Sequence, residues 1–211
     1  MFGVLNMFFV VLGLLILIVF YGTYFFKMFL QRKQGVKTNQ LGKGKEGIEK
    51  TIEISMQIMT ILVPVFEICS MIFQFFNLDL SMKIKYLGVF VAFFGTIIFI
   101  ISVITMKNNW RAGVSESEKT ELVTNGIYKI SRNPAFLGFD LVYIGFLLMF
   151  FNWILFVISC STIILFHLQI TKVEEPFLVK KFGEEYEHYK NEVFRYFGRN
   201  VFMKDKIKGE I

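Results

Sequence analysis

The sequence has few of the residues that form disulfides or hold metals. Its 211 residues include only two cysteines, two histidines and three prolines. Cys69 and Cys160 both lie inside apolar runs, so we interpret them as packed apolar residues rather than as a disulfide or redox pair. With two histidines and no Cys-x-x-Cys, the sequence predicts no metal site. The sequence also has no Walker loop, and no Gly-x-Gly-x-x-Gly in it follows a predicted strand. Any nucleotide-like cofactor is therefore not expected to bind to a Rossmann domain.

Apolar residues are abundant instead. Hydrophobic residues make up 55% of the chain, phenylalanine occurs 27 times, and the mean hydropathy is +0.55. Soluble domains usually contain about 45–50% apolar residues, and their cores do not need long apolar runs. The net charge of +6 is typical of basic cytoplasmic loops in a membrane protein, so we expect a lipid bilayer and no nucleic acid as partner.

Five apolar segments are long enough to predict membrane helices, which need roughly 20 residues each. The first three are Phe2 to Leu30, Ile52 to Phe76 and Ile84 to Met106. The stretch from Phe136 to Ile170 is too long for one span and suits two touching antiparallel helices with a tight turn at Asn152. We interpret the first run as a retained span because a signal peptide would be shorter, with a basic start. The predicted fold class is an all-α, polytopic membrane bundle.

Basic residues predict the orientation of this bundle. Lysine and arginine are concentrated after the first span, after the third span and in the tail, which belong on the cytoplasmic side by the positive-inside rule. The loop from Asn77 to Met82 has none, although Lys83 and Lys85 follow it closely. We therefore expect the N-terminus outside and the C-terminus in the cytoplasm. The Gly/Lys-rich loop from Gln34 to Gly47 is predicted to be solvated.

The tail from Val173 to Phe197 mixes aromatic and charged residues. That mixture is typical of a segment at the membrane interface, or of a helical cap over the cytoplasmic end of a bundle. Pro176 is expected to restart a helix in its first turn, and Gly183 to bend the chain again. The prediction is therefore a C-terminal helical cap after the last span.

A polar segment before the fourth span is the first candidate site. Asn125-Gly126 predicts a turn, and Arg132-Asn133-Pro134 predicts a helix start with Asn133 as cap and Pro134 in the first turn. Free N–H groups at such a start bind anionic groups. The simpler alternative is a loop before a well-capped membrane helix, with Arg132 contacting lipid phosphate.

Glu174 and Glu175 form the second candidate. At the predicted C-terminus of the fifth span, two carboxylates oppose the helix dipole, and a cationic ligand would relieve that cost. His167 lies two helical turns earlier and is predicted to share a face with Glu174. The alternatives are a solvated helix end and a packed histidine.

Two further acids and two glycines lie inside predicted spans. Glu67 and Asp140 are candidates for a function because intramembrane acids are costly, but each could simply pair with a polar group on another helix. Gly88 and Gly95 on the third span are interpreted as helix-packing residues rather than ligand contacts.

Over about residues 110–197 the chain resembles the isoprenylcysteine carboxyl methyltransferase and phospholipid methyltransferase superfamily, integral membrane enzymes that use S-adenosylmethionine. The matching residues are Leu122-Val123, Gly126, Tyr128, Arg132-Asn133-Pro134, Gly138, Glu174-Glu175, Leu178, Phe182-Gly183, Tyr186, Tyr189, Val193 and Arg195. The apolar runs predict three N-terminal membrane helices over residues 1–106, which match the family only in being apolar, and the resemblance implies a catalytic region over residues 107–211. It further implies an S-adenosylmethionine pocket at the cytoplasmic helix ends and an acceptor that enters from the bilayer.

The resemblance and the two candidate sites described above together give the predicted site residues. Arg132 and Glu174 are the predicted catalytic residues. The predicted cofactor-binding residues are Leu122, Val123, Gly126, Tyr128, Asn133, Pro134, Ala135, Phe136, His167, Glu174 and Glu175.

Departures from the family pattern keep the acceptor open. Asn133 stands where isoprenylcysteine enzymes usually have histidine, Phe136 where tyrosine is common, and Ile170 where the eukaryotic enzymes carry an arginine. A prenylcysteine-like carboxylate, a phospholipid amine, a small thiol or another lipophilic acceptor all remain candidates. Two alternatives are an NADPH-dependent sterol-reductase-like enzyme, disfavoured because Phe139 follows Gly138 where those enzymes have glutamate, and a non-enzymatic membrane scaffold.

Overall fold

The computed structural model describes residues 2–36, 38–73, 77–114 and 121–200, and these are helical with no strands apart from isolated bridges. The predicted all-α bundle is confirmed. The helices are α1 Phe2–Lys33, α2 Gly47–Ile72, α3 Met82–Met106, α4 Pro134–Met149, α5 Trp153–Leu168, α6 Glu175–Phe182 and α7 Glu184–Glu192. A π-helical turn, Gln169–Glu174, joins α5 to α6 without a break.

Four helical segments in the described residues are long and apolar enough to cross a membrane, as an integral membrane protein requires. They are Asn6–Lys33, Gly47–Ile72, Met82–Asn109 and Trp153–Phe182. The predicted fourth span is present as α4, but with 16 residues it is roughly 24 Å long, shorter than a hydrocarbon core of about 30 Å. The predicted end of the second span at Phe76 lies outside the described residues.

Glycines allow α4 to pack closely against α3. A Cβ atom on Gly88 would lie 2.7 Å from the Gly145 carbonyl oxygen, and one on Gly95 would lie 2.8 Å from that of Gly138. Small residues at such crossings let two membrane helices approach until their backbones touch. The predicted packing role of Gly88 and Gly95 is therefore confirmed. The predicted contact between α4 and α5 is also present, but α4 packs mainly on α3.

Aromatic side chains fill the space where α1, α3, α4 and α5 meet. The ring of Phe20 lies 4.6 Å from that of Phe99 and 4.7 Å from that of Phe139. Phe166 of α5 lies 5.5 Å from Phe139 and stacks on Tyr143. Offset and edge-to-face aromatic pairs add attraction beyond simple burial. This cluster fixes α4, whose first residues belong to the candidate site.

The predicted tight turn at Asn152 is confirmed and is held by that side chain. Asn152 Oδ1 accepts the N–H of Leu155 at 2.9 Å and so caps α5. Its Nδ2 donates to Ser70 Oγ at 2.7 Å and to Asn77 Oδ1 at 3.1 Å. One buried amide thus joins the end of α2 to the turn between α4 and α5.

We expect Asn152→Ala to destabilise the protein by about 1–3 kcal/mol, because it removes a helix cap and leaves buried polar partners unpaired. Ser81→Ala is the matched control, since Ser81 occupies the cap position of α3 without a side-chain cap bond. Apparent melting temperature in detergent measures both. Equal melting temperatures for the two variants would contradict this account of the turn.

The Gly/Lys-rich loop after α1 is less solvated than predicted. Thr38 and Gln40 are buried, and Asn39 forms an isolated bridge with Ala112. The loop then turns towards α2, where the Gly42 N–H donates to Glu53 Oε2 at 2.6 Å and Lys45 pairs with Glu53 Oε1. This docking supplies partners for a carboxylate that is completely buried in the structure.

Candidate functional site

The tail folds back onto the polar segment before α4. The N–H of Arg132 donates to the carbonyl oxygen of Phe194 at 3.1 Å, and the N–H of Gly198 donates to that of Ile130 at 2.7 Å. The Tyr189 hydroxyl donates to the Tyr128 carbonyl oxygen at 2.7 Å. The two blocks of the sequence motif, far apart in the chain, therefore form one structure.

Four side chains, which we call the arginine clamp, lock this arrangement: Arg132, Glu175, Tyr186 and Arg195. Arg195 Nε and Nη2 donate to the two carboxylate oxygens of Glu175, at 2.8 and 2.9 Å. Arg132 Nη1 lies 3.1 Å from Glu175 and donates to the Tyr186 hydroxyl at 3.0 Å. Paired arginine N–H groups match a carboxylate geometrically, so the clamp is strong and directional.

Protonation states in the tail agree with this geometry. Burial raises the pKa of Tyr186 to about 12, so its hydroxyl is neutral and can accept the arginine N–H. The hydrogen bond to Glu175 raises the pKa of Arg195. The predicted catalytic Arg132 and the predicted cofactor ligand Glu175 are thus paired with each other.

The start of α4 departs from the predicted cap. Pro134 occupies the first turn as predicted, but the Asn133 side chain makes no cap bond. Its backbone ψ of 53° differs from the extended geometry in which a cap side chain reaches the first N–H groups. Asn133 Nδ2 instead donates to the carbonyl oxygen of Arg195 at 3.1 Å. Asn133 therefore anchors the tail.

Glu174 and Glu175 do not lie at a helix C-terminus, so the predicted opposition to a helix dipole is wrong. The helical segment that begins at Trp153 continues to Phe182, with both glutamates inside it. Pro176 lies in the first turn of α6, as predicted, and Gly183 turns the chain with a φ of 53°. The π-helical turn ends just before Pro176, which has no N–H to donate to the helical ladder.

Tyr128 is buried against the tail. Burial raises the pKa of the Tyr128 hydroxyl, and the neighbouring Tyr189 and the Glu174 carboxylate add to this effect. Leu122 packs on the tail cluster of Tyr186, Tyr189 and Val193. The contacts of Tyr128 and Leu122 join the polar segment before α4 to the tail.

His167 lies elsewhere. It is exposed, its Nδ1 lies 2.7 Å from the Tyr196 hydroxyl, and the two rings stack. The π-helical turn between His167 and Glu174 changes the helical register on which their predicted common face depends. His167 is thus a second contact for the tail.

The remaining predicted residues are structural neighbours of the site. Ala135 and Phe136 pack against the main apolar core, with the Phe136 ring 5.1 Å from that of Phe166. Gly126 has a φ of 57°, and a Cβ there would lie 3.0 Å from Thr105, so the turn needs glycine. Val123 is half-buried.

Glu53 and Gln169 were not predicted from the sequence alone. Gln169 Nε2 donates to Glu53 Oε1 at 3.0 Å and to Glu174 Oε1 at 3.4 Å. A glutamate from α2 is thereby joined to the predicted catalytic glutamate. The position of Glu53, close to Glu49 and Lys50 in the sequence, looks like a solvated helix start and gives no signal of burial.

Comparisons with known proteins agree with this architecture. The phospholipid methyltransferase family matches residues 84–185. The chain is 34% identical over 109 residues to a protein-S-isoprenylcysteine O-methyltransferase from Rattus norvegicus, covering 50% of this chain and 38% of that protein. It is 39% identical over 72 residues to the Saccharomyces cerevisiae protein of the same name, covering 34% of this chain and 30% of that protein.

A probable protein-S-isoprenylcysteine O-methyltransferase from Oryza sativa subsp. indica is 27% identical over 112 residues, covering 52% of this chain and 59% of that protein. The chain thus matches between about a third and three fifths of the length of these relatives. The fold and the site define a helical membrane protein. The predicted resemblance to the isoprenylcysteine carboxyl methyltransferase and phospholipid methyltransferase superfamily is confirmed over this region.

Proposed function

We propose that the protein is a membrane methyltransferase that transfers a methyl group from S-adenosylmethionine to a lipophilic or small acceptor. The observation that carries the proposal is the joining of the two motif blocks: the Tyr189 hydroxyl donates to the Tyr128 carbonyl oxygen at 2.7 Å, and Arg132 pairs with Glu175 at 3.1 Å. Every predicted site residue, from Leu122 to Glu175, also falls inside the range 84–185 that matches the phospholipid methyltransferase family. The relatives in the comparisons above are named as O-methyltransferases, which supports a methyl-transfer activity.

The residues around Glu174 fit a positively charged cofactor. Glu174 and Glu53 bring two carboxylates to the same amide, and Gln169 adds a buried oxygen with no donor among the described residues. Tyr189 of the tail contacts Tyr128, and aromatic ring faces attract cations. We assign the cofactor to this space, bounded by Tyr128, the start of α4 and the tail.

The chain would contribute to the reaction by positioning the reactants and by excluding water from the site. When bound, S-adenosylmethionine supplies an electrophilic methyl group on a sulfonium. The clamp holds the tail over the site, which excludes water and fixes the approach of the acceptor. An amine acceptor must lose a proton, and Glu174 is the nearest proposed base; a thiolate or carboxylate needs none.

The proposed orientation has the N-terminus outside and the tail in the cytoplasm, where a soluble cofactor reaches the site. Lys85, which lies near the opposite end, is buried and pairs with Asp79 at 2.8 Å. Its charge is therefore balanced locally and does not oppose this orientation. Residues 1–106 would then scaffold the catalytic region 107–211, with Glu53 as their contribution to the site.

Binding of radiolabelled S-adenosylmethionine to the purified protein in detergent tests the proposal. We expect binding by the wild type that NADPH does not displace. Glu174→Gln should weaken it about tenfold or more, because a charged contact becomes neutral. Glu185→Gln is the matched control, an exposed glutamate of the tail. Displacement by NADPH would favour the reductase alternative, and absence of binding, or equal binding by Glu174→Gln, would refute the proposed site.

A further inference from the structure

The amide of Gln169 has an orientation that its neighbours determine. The side chain is completely buried, and its Nε2 faces Glu53 Oε1 at 3.0 Å and Glu174 Oε1 at 3.4 Å. A carboxylate accepts hydrogen bonds and the amide oxygen cannot donate one. The NH2 end must therefore face the glutamates, and the oxygen must point the other way.

That oxygen is buried and has no hydrogen-bond partner within the described part of the chain. Buried acceptors are nearly always satisfied, because losing water without gaining a donor is destabilising. Gln169 also begins the π-helical turn, and such turns are frequent at functional sites. An unpaired acceptor beside a carboxylate is suited to a ligand that brings N–H donors.

Charge decides which kind of donor fits. Glu53 and Glu174 are two carboxylates joined to one amide, and Lys45, paired with Glu53, is the cation in contact with them. With all three ionised, one negative charge remains uncompensated by these contacts. A primary ammonium supplies one positive charge and three donors, enough for Gln169 Oε1 and Glu174 together.

We propose that Gln169 Oε1 and Glu174 bind a primary ammonium group of a ligand, and that Glu53 is a positioning residue that fixes the Gln169 amide. This inference rests on the proposed function. Glu53 is itself held by Lys45 and by the N–H of Gly42. The loop between α1 and α2 thereby acts on the site through Glu53. The ammonium can come from the amino acid part of S-adenosylmethionine or from an amine-bearing acceptor.

Two pairs of probes distinguish these sources. The first pair is S-adenosylhomocysteine and its analogue with hydrogen in place of the α-amino group. The second pair is lipid nanodiscs carrying a primary-amine headgroup (ethanolamine) or its trimethylated counterpart (choline), which has no N–H. Binding is measured by calorimetry for the wild type, Gln169→Leu and Glu53→Gln, each checked for a single monodisperse species.

We expect Gln169→Leu to weaken binding of the amino-bearing probe of one pair by about tenfold or more, the usual effect of losing a hydrogen bond to a charged group. Binding of its amine-free partner should match the wild type. Glu53→Gln still offers an acceptor to Gln169 Nε2 but loses the ion pair with Lys45, so it should act in the same amine-dependent way by a smaller factor. It also provides the test if Gln169→Leu does not fold.

Equal weakening of both members of a pair would show a structural role for Gln169 and overturn the inference. No amine-dependent change in either pair would overturn it as well. A wild type that binds neither S-adenosylhomocysteine nor its analogue refutes the proposed function itself. A wild type that binds S-adenosylhomocysteine while Gln169→Leu binds every probe equally well refutes only the ammonium site.

Discussion

Replacing Glu175 with alanine is expected to release the tail and destabilise the protein by about 3 kcal/mol or more, the usual result of removing one partner from a buried ion pair. The Glu175 carboxylate contacts both Arg132 and Arg195, and the Arg132 side chain is only 7% exposed. Without Glu175, a buried guanidinium would lack its counter-charge. Both arginines of the clamp would then be more stable in water than in the folded contact, so the tail would detach.

Two measurements follow the two consequences. Apparent melting temperature in detergent reports the loss of stability, and limited trypsin digestion reports opening of the tail through faster cleavage after Lys190. Glu185→Ala is the matched control because Glu185 is an exposed glutamate of the same tail. If Glu175→Ala and Glu185→Ala have the same melting temperature and the same rate of digestion, the clamp does not hold the tail.

A second expectation separates this clamp from the binding site. Glu175→Gln keeps the shape and one acceptor oxygen, so it should lose less stability than Glu175→Ala. Among the described residues, Arg132 and Arg195 form their ion pairs with Glu175 and not with Glu174. Glu174→Gln should therefore affect the proposed cofactor binding more than the melting temperature. The adjacent glutamates would then have different roles despite their common motif.

The helices were predictable because their signal is local. Apolar runs of sufficient length mark α1 to α5, and Asn152 marks the turn between α4 and α5 because a polar residue there interrupts one long run. Gly88 and Gly95 were predicted as packing residues because they lie inside an apolar span, although the sequence did not identify the partner helix. Length and polarity along the chain contain this information directly.

The helix around Glu174 was not predictable in the same way. The apolar run ends near Ile170, which suggested a helix end and a dipole argument. The helix instead continues through the π-helical turn into α6, beyond the end of the run. Glu53 was missed for a related reason, since only the loop that docks through Gly42 and Lys45 makes its burial possible.

Side-chain partners in the tail were also hidden. The motif contains Arg132, Glu175 and Arg195, but the sequence does not say that they pair with one another. Their mutual contact requires the reversal at Gly183 and the backbone hydrogen bond between Arg132 and Phe194. The resemblance pointed to these residues, and the structure shows that Arg132, Glu175 and Arg195 hold the tail.

Replacing Gly145 with a larger residue is the second change with a large expected effect. A Cβ atom there would lie 2.6 Å from both the Cβ and N atoms of Ala92 and 2.6 Å from the Gly88 carbonyl oxygen. The obstacle is backbone, which cannot rotate aside as a side chain can. Gly145→Ala should destabilise by about 1–3 kcal/mol, and Gly145→Leu should prevent close packing of α3 and α4.

The control is a second glycine-to-alanine substitution, at Gly22, which is not expected to destabilise the protein. Gly22 on α1 has nothing within 4 Å of an added Cβ, so Gly22→Ala should be neutral or slightly stabilising, because alanine favours helix by up to about 1 kcal/mol over glycine. Apparent melting temperature compares the pair. Because α4 carries Pro134 and Gly138 at the end that meets the tail, Gly145→Ala should also weaken S-adenosylmethionine binding while Gly22→Ala leaves it unchanged. Equal melting and equal binding for the two alanine variants would show that the glycine contact does not position the site.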